Sequence, residues 1–149
     1  MKYIISTIGK YKNNDENIIT QKYLKRIKNI EINQYEVKLN NVEKKLEEEG
    51  NKLINSTPKN GKLILLDEQG DNLTSAELAN IISNWKDNNV SNINFAIGGA
   101  FGNGKKIKKS ADKIVALGRF TWPHQMVKMM IAEQIYRIET IIQGHPYHK

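Results

Sequence analysis

The side chains that titrate near neutral pH are confined to one end of this chain. His124, His145 and His148 are its three histidines, and all lie beyond Pro123. Between them runs a stretch with Val127, Met130, Ile131, Ile135, Ile138, Ile141 and Ile142 near one side, the spacing of a core-packed helix. Proton-handling groups therefore flank one buried helix. The tail Gly144-His145-Pro146-Tyr147-His148-Lys149 has two readings, a docked functional segment or a frayed end. A zinc pair at His145 and His148 is disfavoured, because Pro146 breaks regular spacing and no cysteine or nearby carboxylate completes a ligand set. No Gly-x-Ser-x-Gly elbow is present to support a serine hydrolase.

The second chemical feature is Gly98-Gly99-Ala100-Phe101-Gly102-Asn103-Gly104. Glycines at this density let backbone approach a ligand closely. The following Lys-Lys lacks the spacing and the Ser/Thr of a Walker loop, and the run is not Gly-x-Gly-x-x-Gly opening a long helix. Met126, Met129 and Met130 read as packing residues.

The elements that must position these groups alternate. Lys2–Ile8 reads as a strand, Asp15–Lys28 as a helix and Ile30–Leu39 as a second strand. Asn41 is a cap candidate for a helix from Val42 to about Asn55, whose Lys44, Lys45, Glu47, Glu48 and Glu49 form a solvated face. The run Lys62–Asp67 fits a strand buried on both faces and broken by Glu68–Asn72. Thr74-Ser75-Ala76-Glu77 is a capping box for a helix to about Asn88. Strands follow at Asn92–Ile97 and Lys113–Leu117. Pro123 then leads into the last helix, with Thr121 as a possible cap. This alternation predicts an α/β fold, a largely parallel sheet covered by helices on both faces, in one domain spanning 1–149. Such sheets bind ligands beyond the carboxyl ends of their strands, which selects the loops Asp67–Asn72, Gly98–Gly104 and Gly118–Trp122.

Charge narrows the partner. Residues 1–104 carry 14 Lys+Arg against 13 Asp+Glu, while residues 105–149 carry 9 against 3. Nearly all of the net +7 thus sits in the last third, as expected for a polyanion partner such as nucleic acid. The absence of cysteine excludes disulfides and thiolate metal sites. No apolar run approaches the roughly 20 residues of a membrane span, and a cytosolic, cytoplasmic protein is the simplest expectation.

Five motifs occur in order: Leu65-Leu66-Asp67-Glu68-Gln69-Gly70, Ile97-Gly98-Gly99-Ala100-Phe101-Gly102, Thr121-Trp122-Pro123-His124-Gln125-Met126-Val127, Ala132-Glu133-Gln134-Ile135-Tyr136-Arg137 and His145-Pro146-Tyr147-His148-Lys149. With them the whole chain resembles the ribosomal large subunit methyltransferase H family, the pseudouridine-N3 methyltransferases of 23S rRNA. The resemblance implies a SPOUT fold with a C-terminal trefoil knot, a homodimer with sites near the subunit interface, S-adenosylmethionine as methyl donor, and the assembled ribosome as substrate. It implies cofactor contacts at Leu66, Gly98, Leu117, Gly118, Arg119, Phe120, Thr121 and Trp122. The sequence departs from the family pattern at Trp122, which enlarges an apolar wall, and at Phe101, Lys128 and Gly144. Lys128 keeps the charge of a usual arginine and loses its bidentate geometry.

Methyl transfer to a weakly acidic N3–H calls for positioning, a proton acceptor and anion stabilisation. His124, Tyr147 and His148 are the candidates for proton handling. Arg137, Lys128 and Lys149 are candidates for holding phosphate or developing anion. Lys105, Lys106, Lys108 and Lys109 are expected to attract RNA in a salt-sensitive manner. The competing expectation is a non-enzymatic basic RNA-binding module with a degenerate cofactor pocket. No metal is expected.

Overall fold

The computed structural model describes residues 1–148. Five strands, β1 (Lys2–Ile8), β2 (Ile30–Tyr35), β3 (Gly61–Asn72), β4 (Asn92–Ile97) and β5 (Lys113–Ala116), form one sheet in the order β2-β1-β4-β3-β5. Every pairing in it is parallel. The helices are α1 (Asp15–Leu24), α2 (Val42–Asn55), α3 (Ser75–Asp87), α4 (Lys105–Ser110) and α5 (His124–Ile142).

The strands are apolar on both faces because both faces are covered. Ile64, Leu66, Ile93, Phe95 and Ile97 point to one side and pack with Leu78, Ala79 and Ile82 of α3 and Ile131, Ile135 and Ile138 of α5. Leu63, Leu65 and Ala96 point to the other, against Leu53 of α2 and Ile107 of α4. Asn94 is buried on this second face and fully satisfied. It accepts from Ser6 Oγ at 2.8 Å and donates to Leu53 O at 3.0 Å and Thr57 Oγ1 at 2.9 Å, which pins β1, β4 and the end of α2 together.

The expected caps at Asn41 and the capping box at Thr74/Glu77 are formed. Several boundaries differ. β2 stops at Tyr35, not Leu39, because its partner β1 ends at Ile8, opposite Tyr35. α1 stops at Leu24, and its apolar Ile18 and Ile19 face outward while Asn17 and Thr20 are buried. β3 is not broken at Glu68 but continues to Asn72 beyond a register shift against β5. Gly70 permits that close passage, since a Cβ there would lie 2.7 Å from the backbone of Ile114 and Val115. The basic segment after the glycine loop is the short helix α4. Thr121 does not cap α5; its hydroxyl donates to Glu68 Oε2 at 2.7 Å, and Pro123 stands at the cap position without a side-chain bond.

Candidate functional site

The middle of β3 and the carboxyl ends of β4 and β5 open into a cavity of about 490 Å³. Its lining joins the three segments that the sheet argument selects, of which Asp67–Gln69 is strand and not loop. Leu66, Gly98, Leu117, Gly118, Phe120, Thr121 and Trp122 all border it, and Arg119 alone of the expected cofactor contacts does not. Arg119 is exposed. Trp122 folds its loop back, with its indole N–H donating to Leu117 O at 2.9 Å, and stands edge-on to Phe120 at 6.3 Å between ring centroids. His124, in the first turn of α5, borders the cavity as well.

The glycine loop is held to β3 by Asn103, a residue the sequence reading passed over. Its amide donates to Leu66 O and Asp67 Oδ2, each at 3.0 Å. A Cβ on Gly98 would sit 2.2 Å from Asn103 Oδ1, so only glycine fits beneath this strap. Asn103 Oδ1 is buried against Gly98 and has no hydrogen-bond partner among the described residues. The signal was legible: an amide side chain between glycines in a ligand-facing loop.

Two carboxylates beneath the cavity are displaced in opposite directions. Burial pushes the Asp67 carboxyl up. Bonds from Asn103, from the Gln69 N–H at 3.0 Å and from Lys108 Nζ at 3.0 Å outweigh that, and Asp67 is held below the usual carboxylate range. Glu49 is only 3% exposed, and burial raises its carboxyl despite the pull of Lys45. Its Oε2 has no partner and lies where a Gly99 Cβ would come within 2.8 Å. Glu49 therefore does not belong to the solvated face of α2. It shares the apolar stripe of Gly50 and Leu53, a position its spacing from Leu46 could have revealed.

The remaining expected site residues lie elsewhere. Arg137, Tyr147 and His148 gather at the far end of α5, and at about 1.5 Å per residue Arg137 lies roughly 20 Å along the axis from His124. The tail is docked there rather than frayed. Arg137 pairs with Glu133 and stacks 4.9 Å from the Tyr147 ring. Tyr147 meets Tyr136 edge-on at 4.7 Å and donates to Glu133 Oε1 at 3.1 Å. His148 Nδ1 is 3.3 Å from the Arg137 guanidinium. Burial, with Tyr23 and Glu133 as neighbours, pushes the Tyr147 hydroxyl up to about 12, so at neutral pH it is a donor and not a base.

The lysines divide. Lys105, Lys106 and Lys109 are exposed on α4, with Lys106 Nζ donating to Asn51 Oδ1 at 2.6 Å. Lys108 is not free for RNA: it is committed to Asp67 and forms part of the cavity wall. Lys128 is not a surface residue at all, being 2% exposed, with Nζ reaching Asn17 Oδ1 at 3.4 Å. Burial lowers its pKa. Lys149 lies outside the described residues. Among the described residues no three His, Cys, Asp or Glu gather as a metal set, and no helix is long and apolar enough to cross a membrane.

Residues 1–148 match the model of a family described as "Predicted SPOUT methyltransferase". The chain is similar over its full length to proteins named ribosomal RNA large subunit methyltransferase H. That of Halothermothrix orenii is 38% identical with all of both chains covered. That of Nitrobacter hamburgensis is 33% identical, covering 100% of this chain and 99% of the other. That of Geobacter metallireducens reaches 50% identity over 61% of this chain and 59% of its own.

Proposed function

The chain belongs to the SPOUT methyltransferase family, and we propose that it transfers the methyl group of S-adenosylmethionine to N3 of a pseudouridine in 23S rRNA on the assembled ribosome. The observation that carries this reading is the cavity where three strands converge, floored by Gly98 under the Asn103 strap. Its volume of about 490 Å³ falls within the roughly 300–1,000 Å³ of small-molecule sites. The apolar wall of Leu117, Phe120 and Trp122 suits the flat aromatic base of this cofactor, and the close backbone at Gly98 offers hydrogen-bonding groups to its polar edges. A cavity this well supported favours catalysis over a non-enzymatic RNA-binding module.

The cofactor supplies an electrophilic methyl on sulfur, and the products are N3-methylpseudouridine, S-adenosylhomocysteine and a proton. This chain's residues bind, orient and handle that proton. His124 borders the cavity and is the proton acceptor in this reading. Lys105, Lys106 and Lys109 on α4 draw the RNA in. The C-terminal segment is threaded as a trefoil knot in this reading, as membership of the SPOUT family leads one to expect.

Arg137, Tyr147 and His148 belong to a composite site in a homodimer, where the tail cluster of one protomer meets the cavity of its partner. Two features support this. The cluster stands roughly 20 Å from its own cavity along α5. A largely apolar depression of about 530 Å³, bordered by Ile19, Tyr23, Leu73, Met129 and Met130, is suited to a second copy. An rRNA substrate supports a cytoplasmic location.

Calorimetric titration with S-adenosylmethionine, with ATP as the comparison ligand, tests the reading. Saturable binding of S-adenosylmethionine at one per chain and none of ATP is expected, followed by methyl transfer to ribosomes lacking the modification. Binding of both ligands alike, or methylation that survives Gly98→Val, would overturn the assignment.

A further inference from the structure

Among the described residues Lys128 is the only lysine or arginine that is buried, at 2% exposure. An ammonium carries three donors and ordinarily takes a carboxylate when it leaves water. Among the described residues none lies within 4 Å, and a single long bond to Asn17 Oδ1 at 3.4 Å is its only described protein contact of this kind. Asn17 offers the ammonium only this oxygen, since its amide nitrogen is itself a donor, directed at Tyr11 Oη at 3.0 Å. The cation is thus desolvated and under-partnered, which costs several kcal/mol unless another acceptor arrives.

Space for that acceptor is present. Lys128 borders a cavity of about 580 Å³ together with Lys10, Tyr11, Gln21, Gln34 and Glu36. The one carboxylate here is already shared, with Lys10 and Lys38 each 3.8 Å from Glu36 Oε1. Gln34 donates to Gly9 O at 2.8 Å, which fixes the rim. The cavity lies beyond the carboxyl ends of β1 and β2, at the same end of the sheet as the methyl-transfer cavity. Consecutive residues of α5 border the two, Val127 the one and Lys128 the other.

We propose that this second cavity receives an oxyanion, a backbone phosphate of the RNA substrate, with Lys128 as its buried cation and Lys10 at its mouth. The inference rests on the methyltransferase reading for the identity of the RNA. A phosphate seated there anchors the strand on the same helix that borders the cavity taking the reacting base. Lys128 is then a binding residue, distinct in kind from the exposed lysines of α4, because it supplies its charge in a dry site.

The test compares wild type, Lys128→Met and Lys128→Arg for binding to purified ribosomes lacking the modification, across a series of KCl concentrations. Each phosphate contact adds about 0.7 to the slope of log affinity against log salt for single-stranded RNA. Lys128→Met is expected to bind about tenfold more weakly with a slope smaller by about 0.7, while Lys128→Arg retains the slope. Calorimetric affinity for S-adenosylmethionine stays within about twofold in both variants. An unchanged slope in Lys128→Met overturns the proposal, whether or not affinity falls. A second arm measures the rise in Tm given by inorganic phosphate over chloride. Stabilisation lost in Lys128→Met with an unchanged ribosome slope identifies a free-oxyanion site and likewise overturns the RNA assignment. Failure of wild type to bind S-adenosylmethionine would sink the methyltransferase reading alone, since the slopes are read without the cofactor.

Discussion

At the first turn of α5, His124 borders a cavity whose walls come from three separate strands. At the last turns of the same helix, Arg137 is satisfied by its neighbour Glu133 and by a tyrosine from the tail. The first region is made of backbone approach: Gly98 under Asn103, Leu117 tied by the Trp122 indole. The second is made of side chains that satisfy one another, with Glu133 accepting from Arg137, Gln134 and Tyr147. A region with close backbone and an apolar wall can take a ligand. A region whose charges are paired presents a shaped, neutralised surface to another molecule. On the proposed function, the contrast separates a cofactor site from a surface for partner or substrate.

The largest expected effect breaks that contrast at its cofactor side. Gly98→Val places carbon where Asn103 Oδ1 already lies, 2.2 Å from the ideal Cβ, and either the strap or the glycine loop must move. Affinity for S-adenosylmethionine should fall more than about 100-fold by calorimetry, a loss of roughly 2.7 kcal/mol or more. Tyr147→Phe should leave it within about twofold. Equal losses in the two variants would mean that the regions are not separate in function.

Removing the strap is the next test in size. Asn103→Ala deletes two hydrogen bonds to β3 without adding bulk, and one of them goes to the charged Asp67. At about 1 kcal/mol for each net bond, a weakening of S-adenosylmethionine binding of about 10- to 30-fold is expected. Binding as tight as wild type would show that the loop is held by its own backbone.

The part of this site that the sequence displays is its backbone. Glycine density, strand ends and a proline-led helix are local signals, and each of the three segments they select does line the cavity. The same holds for the parallel α/β fold, whose strands are short apolar runs and whose caps at Asn41 and Thr74 are visible in single tetrapeptides. What was not legible depends on distance in sequence. β3 outlasts its apolar run because β5, some 40 residues on, supplies a partner across Gly70. Lys128 resembles a surface cation until α1, more than 100 residues earlier, turns Asn17 and Thr20 inward and leaves Ile18 and Ile19 out. That a helix stands between His124 and the tail was visible in the apolar stripe of α5, whereas the docking of Tyr147 on Arg137 and Glu133 follows from contacts no local signal displays.

The smallest effects use the two carboxylates beneath the cavity to sharpen the comparison. Asp67 is held below its ordinary range, so it contributes stability above the unfolded value of about 3.9 that is lost as pH falls through the folded value. Asp67→Asn should therefore narrow the difference in Tm between pH 7 and pH 3. Glu49 is raised, so its ionisation opposes folding, and its cost appears as pH rises above the unfolded value of about 4.3. Glu49→Gln should raise Tm at pH 7 by a few degrees, with the gain vanishing below about pH 4. At the tail, Tyr147→Phe removes one bond to Glu133 and keeps the ring contacts with Arg137 and Tyr136, so Tm at neutral pH should drop by no more than a few degrees. Methyl transfer to ribosomes by the same variant decides what the docked tail is for. A fall in turnover with S-adenosylmethionine affinity intact places the hydroxyl in a composite site, whereas unchanged turnover leaves Tyr147 as the clasp that holds the tail on α5.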